Sequence, residues 1–170
     1  WYKIVNRLKT NNIKFTRLKK DTTITVEEQH IDKFDTRKSA YEGHYLHYNT
    51  SVKKSTKRVK FKEGDIYIPT NQNGVRYVIE TLEAEAPDSF FNWNFFDTIL
   101  QQKEGYSSYV FEDVAEQFLK DNPSVKNTFD EKLKMDEDFA KNSRAQLYWI
   151  YKQTPHYEKA HLKLPIYKVY

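Results

Sequence analysis

The sequence predicts an α+β fold with a short N-terminal helix, an antiparallel β-sandwich-like unit and a helical C-terminal third. Three observations lead to this prediction. Apolar side chains recur at every second position in segments of the first 85 residues, as they do in half-buried strands. After Gly105 they recur at helical spacing instead. The chain is 16% aromatic with only 4 Gly, a composition typical of packed elements.

The first elements are predicted to be a helix and two strands. Ile4, Val5 and Leu8 share one face of a helix in WYKIVNRLKTNN. The segment 13–18 alternates apolar and polar residues, and 22–35 opens with β-branched residues, so both are expected to be extended.

The clearest strand lies in residues 53–62, where Val59 and Phe61 alternate with basic residues. A Glu-Gly-Asp turn separates it from another short strand at 66–68. Residues 75–85 place apolar side chains at period two, so we expect a further strand there.

The C-terminal third is predicted to be helical. Val114 and Phe118 lie at helical spacing, and Pro123 suits the first turn of a second helix. Asp136 can cap a third helix, whose buried face would extend from Phe139 to Tyr151.

One domain is expected, because no Gly/Ser/Pro-rich linker interrupts the chain. No apolar run approaches the roughly 20 residues of a membrane-spanning helix, so no membrane span is expected. The chain opens on Trp1 and not on Met, which favours a fragment or a processed piece. The predicted parts are a helix-strand lead-in (1–19), a β unit (20–104), a helical segment (105–160) and a terminal strand (161–170).

Neither metal binding nor nucleophilic catalysis is predicted. The sequence has no Cys, and none of its five His is followed by Glu three positions later. His44 and His47 lie in a predicted strand, where side chains three apart point to opposite faces. No Gly-x-Ser-x-Gly motif occurs. We therefore expect no catalytic residue, no metal ligand and no cofactor in this chain.

Residues 53–62 hold six basic side chains in ten. Nucleic-acid binding would require exposed aromatic residues among these charges. Val59 and Phe61 instead alternate with Lys and Arg, as expected for a half-buried strand with a charged outer face. We expect no nucleic-acid partner.

Five of the seven residues from Phe90 to Phe96 are aromatic. If this segment were a strand, Phe91, Trp93 and Phe95 would share one face, which suits a hydrophobic core. Each fully buried Phe stabilises a fold by roughly 1.5–3 kcal/mol. The other face would alternate Phe and Asn, which suits a protein interface or a sugar-stacking surface. Most of these rings are expected in the core.

Four motifs follow one another within residues 64–113. They are Ile68-Pro69-Thr70-Asn71-Gln72, then Arg76, then Leu82-Glu83-Ala84-Glu85 with Asp88, and finally Trp93-Asn94-Phe95-Phe96-Asp97. In this order they resemble the region after the peptidase domain in bacterial zinc carboxypeptidase-like proteins of the carboxypeptidase A type. Residues 1–18, 41–44 and 59–65 are also similar to that region.

The resemblance implies a non-catalytic C-terminal accessory domain of an extracytoplasmic (periplasmic or secreted) zinc metallocarboxypeptidase. The zinc-binding His-x-x-Glu pair of that family is absent here. Zinc and the general-base Glu are therefore expected only in an upstream peptidase domain of the same polypeptide. The accessory domain would brace that partner or help to present peptide or cell-wall substrates.

A stand-alone binding module is the alternative hypothesis. In either case the candidate interface or ligand-binding residues are Gln72, Arg76, Trp93, Asn94 and Phe96. In a pocket for a glycan or peptide, Trp would stack on the ligand while the amide and guanidinium groups orient it. A domain-docking face should cause dimerisation or loss of solubility when separated from its partner, whereas a binding module should not.

Overall fold

The structure of this chain, a computed structural model, describes residues 1–102 and 105–170. The chain forms two compact units, one made of residues 1–101 with 160–170 and the other of residues 102–159. Each unit has its own hydrophobic core. The end of the β unit predicted at residue 104 lies outside the described residues, and the single domain stays a prediction.

Two antiparallel sheets form in the first unit, one with strand order β3-β2-β5 and the other pairing β1 with β4. The strands are β1 (Thr16–Arg17), β2 (Thr22–Thr36), β3 (His47–Phe61), β4 (Ile66–Tyr67) and β5 (Lys163–Lys168). In the long β2–β3 hairpin Val26 lies opposite Lys57, and the register shifts near Lys33. The antiparallel strands expected from the sequence are confirmed, whereas sandwich-like packing of the β unit stays a prediction.

Helices α1 (Tyr2–Thr10) and α2 (Val75–Leu82) also belong to the first unit. The strand predicted over 75–85 is wrong. Val78 is buried on the inner face of α2, whereas Ile79, which the period-two pattern placed with Val75, is 50% exposed. Eight residues are too few for one periodicity to exclude the other, and Gly74 provides the left-handed conformation that begins the helix.

Residues 86–96 form consecutive turns and not a strand, followed by a short 3-10 helix at Asp97–Ile99. Phe90, Phe91 and Phe96 are buried in the core, while Trp93 and Phe95 are half-buried. The expectation that most of these rings pack inside is confirmed. The division into two strand faces is wrong, because turns point successive side chains in directions that do not alternate.

The second unit is helical, as expected. Its helices are α3 (Ser108–Asp121), α4 (Pro123–Met135), α5 (Glu137–Ala140) and α6 (Ser143–Gln153). Pro123 begins α4, and the Asp136 side chain accepts a hydrogen bond from the Phe139 backbone N–H at the start of α5, both as predicted. The third predicted helix is divided in two, because Asn142 caps a new helix by accepting from the Ala145 N–H.

Replacing Gly74 tests the entry into α2. Gly74 has φ +87°, and a Cβ added there would lie 2.8 Å from Cδ1 of the buried Ile13. We expect Gly74→Ala to lower the free energy of unfolding by about 1–2 kcal/mol through the left-handed backbone, with an added cost for moving Ile13. Denaturant unfolding of the first unit measures this. In a Trp149→Phe background, tryptophan emission comes only from Trp1 and Trp93 of that unit.

Gly64→Ala is the matched control for this prediction. Gly64 has φ +90° and no atom within 4 Å of an added Cβ, so its replacement reports the backbone cost alone. Equal losses at the two glycines would contradict a steric role for Ile13.

Candidate functional site

An open pocket of about 360 Å³ lies in the first unit. Its lining comes from α1, α2, the loop between β2 and β3, and the turns of residues 86–96. We call it the Trp93 pocket. The lining residues are Arg7, Asn11, Glu42, His44, Tyr77, Asp88, Phe90, Trp93 and Phe95.

A continuous series of ring contacts passes through the Trp93 pocket. Neighbouring ring centroids are 5.3–6.4 Å apart, within the range of favourable aromatic contacts. The rings follow in the order Tyr41, Trp93, His44, Phe95, Phe90 and Tyr77. Burial raises the pKa of the Tyr77 hydroxyl and the nearby Arg7 charge partly opposes that rise, so the phenol stays neutral near neutral pH.

Three charged side chains of the pocket have no oppositely charged partner within residues 1–102 and 105–170. The Arg7 guanidinium lies over the Phe95 ring, 4.3 Å from its centroid, as a cation–π contact. Glu42 and Asp88 line the same pocket and are exposed, and their carboxylates make no hydrogen bond or ion pair with the described residues. Donor and acceptor groups are therefore available beside the rings.

Asn94 fixes the turn that presents Trp93 and Phe95. It adopts φ +65°, a left-handed conformation that Asn tolerates better than most residues. Its Nδ2 donates to the Tyr45 carbonyl at 3.0 Å and lies 3.2 Å from His47 Nε2. The turn that holds the two pocket rings is thus attached to the loop before β3.

His47 anchors this turn to the sheet. Its ring is 4% exposed and packs against Phe34 and Phe91, with centroid distances of 4.7 and 5.0 Å. Its Nδ1 is 2.9 Å from Thr36 Oγ1, and its Nε2 is 3.0 Å from Asp97 Oδ1. These contacts link a hydroxyl, an imidazole and a carboxylate in the same order as the side chains of a catalytic triad. Because the imidazole is buried and packs against two aromatic rings, we interpret the group as a structural support for the turn.

Of the five candidate residues predicted from the sequence, only Trp93 lines the pocket. Asn94 supports the turn behind it, and Phe96 is 1% exposed in the core. Gln72 acts as an internal brace, since its side chain bonds both the N–H and the carbonyl of Lys14. Arg76 is exposed on α2, 3.8 Å from Glu80.

Sequence reasoning missed the polar residues of the pocket, Arg7, Asn11, Glu42 and Asp88. They come from separate segments of the chain and belong to no common spacing pattern. Each of them lies in a segment noted for its resemblance, Arg7 and Asn11 in 1–18, Glu42 in 41–44 and Asp88 after Glu85, but nothing in the sequence indicates that they meet in one pocket.

The described part of the chain contains no group of three or more His, Asp or Glu side chains that could hold a metal ion. Among the same residues, no helix is both long enough and apolar enough to cross a membrane. No family model, curated protein or solved structure matches this chain. Its likeness to carboxypeptidase-associated regions therefore stays a prediction from the sequence motifs.

Proposed function

We propose that this chain is a non-catalytic accessory domain that binds a peptide or glycan segment in the Trp93 pocket. The observation that supports it is the convergence of contacting rings with Arg7, Glu42 and Asp88, which lack ionic partners of their own among the described residues. Ligand sites combine aromatic and apolar walls with a few polar groups that fix orientation. The Trp93 pocket offers both within one open cleft.

The accessory role is proposed for a zinc metallocarboxypeptidase outside the cytoplasm. It rests on the order of the motifs that resemble that family. Several motif residues have structural roles in the first unit. Gln72 accepts a hydrogen bond from the Lys14 backbone N–H, and Asn94 and Asp97 contact His47. Structural roles of this kind are expected for the motif residues of a non-catalytic domain. The peptidase domain and its zinc would lie upstream in the same polypeptide, and this domain would brace it or present peptide or cell-wall substrate to it.

Replacing Trp93 tests the pocket. We expect Trp93→Ala to weaken binding of soluble cell-wall fragments, which contain both glycan and peptide, by about tenfold or more, equivalent to about 1.4 kcal/mol. Isothermal titration calorimetry of the 170-residue chain measures the affinity. Trp149→Phe in the second unit is the control and should leave the affinity unchanged. Equal affinity of Trp93→Ala and the unaltered chain, with circular dichroism showing both folded, would contradict the proposal.

The accessory role has its own test, the intact mass and peptide map of the native protein. A much larger chain with His-x-x-Glu and a later His upstream of Trp1 would support it. A mature chain that begins near Trp1 would refute it and leave the stand-alone binding module as the function of the pocket.

A further inference from the structure

We infer that the ligand of the Trp93 pocket is a glycan and not a peptide, an inference that rests on the proposed function. It depends on the shape of the cleft, on the chemistry of its lining and on the exposed ring of Tyr41 beside it.

The shape of the cleft favours a compact ring. Peptides are commonly recognised at the edge of a sheet, as a helix in a long apolar groove, or as an extended proline-rich segment along an aromatic-lined groove. The lining of the Trp93 pocket comes from helices, a loop and turns, and no strand of either sheet contributes to it. Its volume of about 360 Å³ is near the lower end of the range for small-molecule sites, roughly 300–1,000 Å³. An extended peptide would find no strand edge in this lining, and the small volume favours a compact unit over a long segment.

The chemistry of the lining matches an uncharged polyol. Sugar hydroxyls both donate and accept hydrogen bonds, so the acceptors of Glu42 and Asp88 and the donors of Arg7 can serve one ligand. The ring of Trp93 offers apolar surface for the C–H face of a sugar ring. Since the lining carries charges of both signs, it has no strong preference for a charged ligand.

An exposed ring extends this surface beyond the pocket. Tyr41 is 58% exposed and its ring centroid is 6.2 Å from that of Trp93. The exposed Tyr41 ring provides a second stacking position beside Trp93, so a chain of several sugars should bind more tightly than a single unit.

The test compares two arrays probed with the fluorescently labelled 170-residue chain, one of neutral, amino and acidic oligosaccharides and one of random-sequence peptides. We expect ligands among the oligosaccharides only, with calorimetric affinities that fall about tenfold or more in Trp93→Ala. Asp88→Asn, an exposed change that should not disturb folding, should also weaken them severalfold. Tyr41→Ala should weaken tetrasaccharide binding more than disaccharide binding. The control is Tyr67→Ala, 50% exposed on β4 outside the pocket.

Each outcome is decisive. Glycan binding that depends on Trp93 and Asp88 supports both the inference and the proposed function. Peptide binding alone overturns the inference and leaves the proposed function in place. Glycan binding that neither substitution alters overturns the glycan assignment of this pocket. Binding on neither array overturns both.

Discussion

Phe91→Ala should lower the free energy of unfolding of the first unit by about 3–5 kcal/mol, the usual cost of truncating a fully buried Phe. Phe91 is 0% exposed. Its ring meets Phe34 edge-to-face at 5.5 Å and lies against His47 at 5.0 Å. Truncation leaves a cavity beside the imidazole that joins the sheet to the turns of residues 86–96. Denaturant unfolding in the Trp149→Phe background measures the loss.

Phe95→Ala is the matched control in the same segment. Phe95 is half-buried and lines the Trp93 pocket. Compared with Phe91→Ala, its truncation should therefore lower the free energy of unfolding less and weaken ligand binding more. A strand would have placed both residues on one face with similar burial. Equal losses of stability at the two positions would therefore contradict the turn conformation of this segment.

The sequence predicts the hairpin strands β2 and β3 well, and it predicts α2 and the turns of residues 86–96 poorly. β2 opens with a run of β-branched residues, β3 ends with Val59 and Phe61 alternating with basic residues, and the two strands are neighbours along the chain. In Val75–Leu82 an 8-residue window fits both periodicities, and contacts with the rest of the core decide the outcome. The turns at 86–96 depend on the φ of Asn94 and on its bond to Tyr45, a partner that local sequence does not reveal.

The pocket could be predicted only in part for the same physical reason. Trp93 could be predicted as a binding residue because a cluster of aromatic residues is visible in the local sequence. Arg7, Glu42 and Asp88 reach the pocket from α1, from the loop before β3 and from the turns after α2. These three side chains are brought together by tertiary packing, so no local sequence motif predicts that they share a pocket. The polar side chain of Gln72 makes it a candidate binding residue from the sequence. In the structure this side chain donates instead to the backbone carbonyls of Lys14 and Pro69.

Lys57→Met should lower the free energy of unfolding by about 2–3 kcal/mol at neutral pH, because it leaves a buried carboxylate without its main partner. The buried Glu28 on the central strand β2 lies 2.7 Å from Lys57 Nζ on β3 and 3.7 Å from Lys163 Nζ on β5. Lys53→Met on the same strand removes an exposed ion pair with Asp32 and should have a much smaller effect.

The pH dependence distinguishes lost charge pairing from lost packing. Burial alone would raise the pKa of Glu28, but the hydrogen bond and charge of Lys57 and the charge of Lys163 hold it below its ordinary value of 4.5. A carboxyl of this kind stabilises the fold above its unfolded pKa, and the stabilisation is lost as pH falls through the folded pKa.

Without Lys57 the effect of burial is no longer opposed by its nearest cation, so the pKa of Glu28 should rise. As pH falls from about 7 to about 4, Glu28 of the variant should take up a proton before Glu28 of the unaltered chain does. The stability difference between the two proteins should therefore shrink over that interval. Denaturant unfolding at several pH values in the Trp149→Phe background measures it. A difference that stays constant with pH would show that packing of the Lys57 alkyl chain, and not pairing with Glu28, sets the cost.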